Sequence, residues 1–235
     1  MPVPESPLAL IVGANRGLGL GLVRELLGRG YSVIGTARDP EGAADLAALS
    51  AAHPGRLSVL PLDLTDPADI DGFAAKLPAP VLDVLFVNAG IAGPAHRSVA
   101  EATPAEIGEL MFVNAVAPVR LARTLLDRVK DGSGILAFMS SLMGSVEANT
   151  AGNHELYRAS KAALNSLTRG LFATLGGRKI TVLSLHPGWV RTDMGGAQAP
   201  LDIETSVRGL ADVLAREAGS HRHGFVDYAG TELPW

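Results

Sequence analysis

The chain has 235 residues, and its 20 Lys and Arg against 24 Asp and Glu leave a formal net charge of −4. That charge argues against a general nucleic-acid binder, because such proteins need a basic face to neutralise phosphates. The sequence contains no cysteine, which excludes disulfides, thiolate metal sites and cysteine nucleophiles. It also has no run of about 18 uncharged apolar residues that would predict a membrane span. Met1–Pro7 carries three prolines and an acidic residue and does not resemble a signal peptide, so we expect a cytoplasmic protein.

Short apolar runs alternate along the chain with longer segments of helical periodicity. The predicted strands are Leu8–Val12, Tyr31–Ala37, Arg56–Leu62, Val81–Val87, Gly134–Ser140, Lys179–His186 and Phe225–Tyr228. The predicted helices are Leu18–Leu27, Glu41–Ala52, Pro67–Leu77, Pro104–Lys130, Glu155–Leu175 and Ile203–Arg216. The helix from Pro104 is expected to begin with a capping box, in which Thr103 is the N-cap and Glu106 its partner.

The strand segments read as nearly continuous Val, Ile and Leu, which suits strands buried on both faces of a parallel sheet. Alternating strands and helices predict right-handed crossovers and an α/β fold. No linker and no internal repeat divides the chain, so we expect one doubly wound domain over residues 1–235. In such folds ligands bind beyond the carboxyl ends of the strands, which directs attention to the residues that follow each strand.

A glycine-rich loop follows the first predicted strand and opens the first helix. Gly13, Gly17 and Gly19 have the spacing G-x-x-x-G-x-G. Glycines at these positions permit a tight turn and a close approach of the backbone, and the helix amides then face a pyrophosphate. The same spacing also fits a glycine-rich turn that binds nothing, so the loop favours a nucleotide without establishing one.

The end of the second predicted strand indicates which dinucleotide would bind. A carboxylate here binds the ribose 2′-hydroxyl of NAD, whereas an arginine accommodates the 2′-phosphate of NADP. Ala37 and Arg38 fit the phosphate, and Arg16 in the glycine loop offers a second guanidinium. NADP is therefore favoured over NAD, although both arginines could be ordinary surface residues. Asp39 could reach the ribose instead if the strand ends later than predicted.

A tyrosine and a lysine are spaced for proton transfer on the fifth predicted helix. Tyr157 and Lys161 are four residues apart and share one helical face. A phenol with a pKa near 10 is a poor acid or base at neutral pH, and a nearby ammonium is expected to lower that pKa. The pair arises by chance on many surface helices. Together with Ser141, which follows the fifth strand, it predicts a proton-transfer site.

The motifs in chain order resemble the short-chain dehydrogenase/reductase family of the compact, single-domain type. The matching motifs are the glycine loop, Asp63-Leu-Thr, Asn88-Ala-Gly90, Asn114, Ser141, the pair Tyr157 and Lys161, and Pro187-Gly188. The stretch from Tyr157 to Asn165 and the segment Gly230–Trp235 resemble the C-factor/sniffer-like carbonyl reductase branch. One departure is an interval between Ser141 and Tyr157 that is longer than usual, with Glu147–Glu155 as the extra loop.

This resemblance implies a Rossmann fold with a mostly parallel sheet in the order 3-2-1-4-5-6-7 and helices on both faces. It implies the catalytic residues Asn114, Ser141, Tyr157 and Lys161. It implies cofactor contacts by Gly13, Asn15, Arg16, Gly17, Leu18, Gly19, Arg38, Asp63, Leu64, Asn88, Ala89, Gly90, Tyr157, Lys161, Pro187, Gly188, Val190 and Thr192. The apolar residues near the predicted cleft are Leu142, Met143, Trp189 and Met194, which we expect to line a substrate pocket.

The implied reaction is the reduction of an aldehyde or ketone by hydride transfer from NADPH. Tyr157 would protonate the developing alkoxide, and Ser141 would hydrogen-bond the same oxygen. Lys161 would hold the nicotinamide ribose and lower the pKa of the tyrosine, and Asn114 would kink its helix and hold a water. The family pattern S-S-x-x-G selects Ser141 over Ser140, which is expected to bond backbone under the sheet.

Other readings of the sequence remain open. A signalling or sensor protein that binds NADP(H) with little turnover would use the same scaffold, although it need not retain all four catalytic residues. A sugar-nucleotide epimerase or dehydratase would need a larger C-terminal substrate domain. His186 is as consistent with a structural role as with the edge of the active site, and the histidines lack metal-ligand spacing, so no metal is expected. We expect a small-molecule partner, no nucleic-acid or membrane partner, and a homodimer or homotetramer.

Overall fold

A computed structural model describes residues 6–78 and 81–235, so most of the Met1–Pro7 segment lies outside the described residues. Within them the chain forms a seven-stranded sheet in the order β3-β2-β1-β4-β5-β6-β7, and every neighbouring pair of strands is parallel. The strands are β1 (Leu8–Val12), β2 (Ser32–Ala37), β3 (Leu57–Pro61), β4 (Val84–Val87), β5 (Ile135–Met139), β6 (Thr181–His186) and β7 (His223–Asp227). The predicted fold class and strand order are confirmed.

Helices cover both faces of this sheet. They are α1 (Gly17–Gly28), α2 (Ala44–Ala52), α3 (Pro67–Lys76), α4 (Pro104–Met111), α5 (Ala117–Thr124), α6 (Glu155–Ala173) and α7 (Ile203–Glu217). The side chains of β1 show how one strand serves two cores, because successive side chains of a strand point to opposite faces. Ala9 and Ile11 pack with α1, α2 and α7, whereas Leu10 and Val12 pack with α3, α5 and α6. In the part of the chain described here, no helix is long and apolar enough to cross a membrane.

The helix predicted over Pro104–Lys130 is not continuous. It divides into α4, a π-helical turn over Phe112–Val116, and α5, and a short 3₁₀ turn follows over Leu126–Arg128. The cause lies in the sequence, because Pro118 has no N–H to donate to the carbonyl of Asn114 four residues earlier. A π-turn accommodates such a lost bond. The expected irregularity at Asn114 is therefore present, but the proline explains it.

Two local predictions at helix and strand ends can be compared directly. The capping box is present, since the Thr103 hydroxyl accepts the Glu106 N–H and the glutamate carboxylate accepts the Thr103 N–H at 2.9 Å. The last strand begins at His223, two residues before the predicted start. Its outer edge is covered by the segment that follows it, because the Leu233 N–H donates to the Phe225 carbonyl at 2.8 Å. Covering an edge strand in this way removes a surface open to pairing with another chain.

Candidate active site

The glycine loop leaves a concave surface at the carboxyl end of β1. Gly13 has a φ of 79°, and a Cβ built on it would lie 2.8 Å from the Cβ of Ala89. A Cβ on Gly19 would lie 2.0 Å from the Gly13 carbonyl oxygen, so the first turn of α1 packs directly on the loop backbone. Only glycine fits at either place. The first amides of α1 face this surface, which suits the pyrophosphate of a dinucleotide.

Asn88 and Ala89 brace the glycine loop from the neighbouring strand. The Asn88 side-chain amide donates to the Gly13 carbonyl at 2.9 Å, and the backbone N–H groups of Asn88 and Ala89 both donate to Val12 at 3.0 Å. The segment after β4 therefore belongs to the same structural unit as the glycine loop. The next residue, Gly90, lies against the catalytic candidates described below.

The residues expected to select the cofactor lie at the surface. Arg38 is exposed at the end of β2, and Asp39 packs over Gly42 in the turn that follows. Arg16 forms an ion pair with Asp193, a residue of the loop after β6 that the sequence analysis did not identify. The side chains of Arg16 and Asp193 are 71% and 79% exposed, so their pairing contributes little stability. It leaves the guanidinium available for exchange to another anion.

Asp63, to which the resemblance assigns a cofactor contact, forms a local turn in this structure. Its carboxylate oxygen Oδ1 accepts both the N–H and the hydroxyl of Thr65 at 2.8 Å. The neighbouring Leu64 is buried in the core beneath. The turn places this aspartate beyond the end of β3, and the cofactor contact assigned to it stays a prediction.

Tyr157 and Lys161 are brought together on α6, as their spacing predicted. The Lys161 ammonium is buried, donates to the Met139 carbonyl at 2.8 Å and lies 5.7 Å from the centre of the tyrosine ring. Burial raises the pKa of Tyr157 to about 12 and lowers the pKa of Lys161 to about 8. The expected lowering of the tyrosine pKa is not found here. Desolvation disfavours both charged forms, and the ammonium is directed to a backbone carbonyl.

Asn114 is fully buried and fixes the segment that follows β4. Its side-chain oxygen accepts the Ile91 N–H, and its amide nitrogen donates to the Ile91 carbonyl, both at 2.8 Å. The same nitrogen donates to the Ser160 hydroxyl on α6 at 3.0 Å. A Cβ on Gly90 would lie 3.1 Å from Asn114 Oδ1 and 3.5 Å from Lys161 Nζ. Asn114 and Lys161 therefore meet beneath Gly90, directly beside the glycine loop.

The two serines after β5 have different surroundings. Ser141 begins a 3₁₀ turn over Leu142–Gly144, and its hydroxyl oxygen accepts the Met143 N–H at 3.1 Å. Its own proton is therefore free for another acceptor. Ser140 instead donates to the side chain of Asn165 at 2.7 Å inside the protein. Ser140 was predicted to bond backbone, but its partner is a side chain. Its hydroxyl is therefore not available to a substrate.

The loop after β6 is shaped by local contacts. Gly188 has a φ of 82°, and a Cβ there would lie 2.3 Å from Leu201. Val190 forms a bridge with Leu201, and the Thr192 hydroxyl accepts the Gly195 N–H at 3.0 Å. The Pro187 carbonyl accepts the Ser206 hydroxyl from α7 at 2.6 Å. These contacts hold the loop at the carboxyl edge of the sheet, where the resemblance places cofactor contacts.

Three of the four predicted pocket residues present apolar surface. Leu142, Trp189 and Met194 are exposed, whereas Met143 is partly buried. The Trp189 ring nitrogen donates to the Gly195 carbonyl at 2.8 Å, which satisfies the one polar atom of that side chain. The exposed remainder of the indole is therefore an apolar surface.

His186, at the end of β6, has a side chain that burial keeps neutral. Desolvation lowers the pKa of His186 to about 4, although Asp227 opposes the shift. A histidine that stays neutral at physiological pH suits a structural role as well as it suits an edge of the site. Its assignment stays open.

Comparisons with known proteins place these residues in context. The sequence matches the family profile described as short chain dehydrogenase over residues 7–200. Among curated relatives, the C-signal protein of Myxococcus xanthus is 38% identical over 164 residues, which span 69% of this chain and 98% of the relative.

Solved structures resemble the whole fold. A carbonyl reductase from Pseudomonas aeruginosa PAO1, crystallised in complex with NADP, is 43% identical with a TM-score of 0.91. The similarity covers 98% of this chain and 100% of that one. The carbonyl reductase Sniffer of D. melanogaster is 35% identical with a TM-score of 0.89, and the same shares of the two chains are covered.

Proposed function

The chain belongs to the short-chain dehydrogenase family, and we propose that it is an NADPH-dependent carbonyl reductase that converts an aldehyde or ketone to an alcohol. The observation that carries this proposal is the continuity of the site. Ala89 packs against Gly13 in the nucleotide cradle, while Gly90, the next residue, lies over Asn114 and Lys161. A nucleotide held by the glycine loop would therefore lie next to the proton donor on α6.

When bound, a reduced nicotinamide supplies the hydride that the carbonyl carbon accepts. The chain supplies the proton, from the Tyr157 hydroxyl to the oxygen that becomes negative. Because burial raises the pKa of Tyr157 to about 12, the phenol keeps its proton at neutral pH, as a general acid must. Ser141 donates its free hydroxyl proton in a hydrogen bond to the same oxygen and stabilises its charge.

Lys161 and Asn114 support the tyrosine rather than react. The ammonium would hold the ribose beside the nicotinamide, and its positive charge would stabilise the phenolate that remains when Tyr157 gives up its proton. Its bond to the Met139 carbonyl keeps it below the tyrosine ring. Asn114 uses its side chain to fix Ile91 and Ser160, and its backbone carbonyl, which Pro118 cannot engage through an α-helical bond, is suited to hold a water.

The preference for NADP over NAD rests on Arg16 and Arg38. Arg38 directly follows β2, where the 2′-phosphate of NADP would stand. Arg16 lies in the glycine loop, and its guanidinium would exchange Asp193 for the phosphate. NAD carries a neutral hydroxyl at the same position, which cannot form an ion pair with an arginine. The NADP-bound relatives support this assignment. Residues Asp63, Leu64, Pro187, Gly188, Val190 and Thr192 are proposed to contact the remainder of the cofactor.

The mouth of the site favours apolar carbonyl compounds. Leu142, Trp189 and Met194 offer apolar surface there, so a substrate gains affinity by burying an alkyl or aromatic group. The exposed side chains of Val116 and Leu167, on the helical segments that carry Asn114 and Tyr157, support a homodimer or homotetramer. Light scattering after size exclusion would show a mass of two or four chains.

Oxidation of NADPH, with NADH in parallel, tests the proposal against a panel of aldehydes, ketones, diketones and quinones. We expect turnover with NADPH on apolar members and weaker turnover with NADH. Tight NADPH binding with no turnover on any member would contradict the reductase and favour the sensor alternative. The panel should therefore be paired with a fluorescence titration of NADPH.

A further inference from the structure

The segment that carries Ser141 is tied to α6 by one buried amide. Asn165 lies on α6, four residues beyond Lys161 and eight beyond Tyr157, so the three side chains follow one face of the helix. Its oxygen accepts the hydroxyl of Ser140 at 2.7 Å, and its nitrogen donates to the carbonyl of Gly144 at 3.4 Å. One side chain thus contacts the residue before Ser141 and a residue three positions after it.

The close approach of this segment to α6 is itself built in. A Cβ on Gly144 would lie 2.9 Å from the carbonyl carbon of Lys161 and 3.0 Å from its Cβ. The turn after Ser141 therefore rests on the backbone of the residue that bears the catalytic ammonium. Only a glycine permits that contact, and the amide of Asn165 holds the turn there.

Asn165 and Ser140 are both buried, with 4% and 2% of their surface exposed. A buried polar side chain is costly unless its groups are paired, so each depends on the other. Neither side chain faces the apolar mouth of the site, and neither has a role in the proposed proton transfer. Their pairing is accounted for by what it holds in place.

We propose that Asn165 is a positioning residue, which together with Ser140 sets the distance between the Ser141 hydroxyl and the Tyr157 hydroxyl. The proposal rests on the function proposed above, since it assigns Ser141 and Tyr157 to one carbonyl oxygen. Asn165 touches neither substrate nor cofactor. It fixes the segment that follows β5 against the helix α6, so that the hydroxyls of Ser141 and Tyr157 lie close together.

The rest of the segment has anchors of its own, so the fold does not depend on this amide. Farther along, the Ser145 hydroxyl accepts the Ala148 N–H at 2.9 Å and donates to the Trp235 carbonyl at 3.3 Å. The Glu147 N–H donates to the same carbonyl at 3.1 Å. Loss of the amide would loosen Ser141 while these bonds keep the loop attached.

The first test compares Asn165→Ala with Ser140→Ala, which removes one oxygen from the other side of the same bond. We expect kcat for carbonyl reduction to fall about tenfold in each, because small misplacements of reacting groups are costly. The dissociation constant of NADPH, measured by fluorescence, should stay within about twofold of wild type. Ser140→Thr, which retains the hydroxyl, should restore most of the rate.

The matched control is Thr168→Val. Thr168 is a buried polar residue one turn farther along α6. Its hydroxyl donates to the backbone carbonyl of Asn165 and lies within hydrogen-bond distance of the Ser184 and His223 side chains, so it contacts neither the Asn165 amide nor the Ser141 segment. We expect its thermal stability to fall as much as that of Asn165→Ala, with kcat unchanged. Equal losses of kcat in the control and in Asn165→Ala would assign the effect to general loosening and overturn the proposal.

A double variant shows whether Asn165 acts through Ser141. If it does, adding Asn165→Ala to Ser141→Ala should lower kcat by less than about twofold, because the group being positioned is already absent. A further tenfold loss would overturn the proposal. A full rate in Ser141→Ala would instead contradict the proposed mechanism itself, whereas a loss there with full rates in Asn165→Ala and Ser140→Ala would overturn only the positioning role.

Discussion

Two regions at the same edge of the sheet are built in opposite ways. The nucleotide cradle between β1 and β4 is made of backbone atoms, and its shape depends on side chains that are missing at Gly13 and Gly19. The catalytic region around β5 and α6 is made of buried polar side chains, chiefly Lys161 and Asn165 on α6 and Asn114 on the π-helical turn that contacts α6. The cradle is thus damaged by adding atoms, whereas the catalytic region is damaged by removing a hydrogen bond.

This difference should separate binding from turnover. A substitution in the cradle displaces the nucleotide and leaves the proton-transfer groups in place. A substitution between β5 and α6 leaves the cradle intact and slows the reaction of a bound nucleotide. A variant in the cradle should lose affinity for the nucleotide, and a variant between β5 and α6 should lose turnover. The reverse result would contradict the comparison.

The largest effect is expected for Tyr157→Phe, which removes only the oxygen that donates the proton. Reduction should slow by about a thousandfold or more, the range for loss of general acid catalysis. NADPH affinity should be nearly unchanged, because the cradle is untouched. Steady-state turnover and a fluorescence titration measure the two quantities, and wild-type turnover in this variant would contradict the mechanism.

Gly19→Ala should break the cradle. Its new Cβ would lie 2.0 Å from the Gly13 carbonyl oxygen, which cannot move away without distorting the loop. Overpacking of about 1–3 kcal/mol predicts that the dissociation constant of NADPH rises by up to about a hundredfold.

Gly28→Ala is the control for this substitution, because a Cβ on Gly28, at the other end of α1, would meet no atom of the described residues within 4 Å. We expect NADPH to bind this control as it binds the wild type. Tight binding by Gly19→Ala would show that the glycine loop does not contact the cofactor.

The cofactor preference should respond to the end of β2. Replacing Ala37 with Asp and removing the Arg38 side chain adds a carboxylate for a ribose hydroxyl and removes a cation for the phosphate. We expect the ratio of kcat/KM for NADPH over NADH to fall about tenfold to a hundredfold, the value of a hydrogen bond to a charged group. An unchanged ratio would contradict the role of Arg38 and mean that Arg16 or another group recognises the phosphate.

The smallest effect is the pH dependence of reduction. Burial lowers the pKa of Lys161 to about 8, so the ammonium is present at pH 7 and mostly lost by pH 9. Tyr157, whose pKa burial raises to about 12, stays protonated throughout. The rate should therefore fall about tenfold over this range, as the ammonium does. A flat profile to pH 9, with circular dichroism showing a folded protein, would contradict the role of Lys161.

The glycine loop and the Tyr157–Lys161 pair could be recognised in the sequence, because their features are local. A glycine loop directly after a buried strand and a tyrosine four residues before a lysine are visible in short windows of sequence. The order of the strands followed once the family motifs were recognised, and the family membership was confirmed. These parts depend on backbone geometry that neighbouring residues determine.

The contacts between distant segments could not be predicted in this way. Asn165 was visible only as part of a motif, and its bond to Ser140 crosses 25 positions of sequence. The pairing of Arg16 with Asp193 joins residues 177 positions apart. The tyrosine pKa was predicted to fall, but it rises, because the burial of both groups follows from packing that periodicity does not reveal. The π-helical turn was missed as well, since a continuous helix was predicted over Pro104–Lys130, although the missing N–H of Pro118 could have signalled it.

The central claim is that hydride passes from NADPH to a carbonyl carbon while Tyr157 supplies the proton. The most direct measurement uses NADPH deuterated at the transferring position of the nicotinamide, with the best substrate of the panel, and analyses the alcohol by mass spectrometry and NMR. The account predicts one deuterium on the carbinol carbon with the wild type and almost no labelled alcohol with Tyr157→Phe. An alcohol without deuterium on that carbon, or equal labelling by the two proteins, would contradict it.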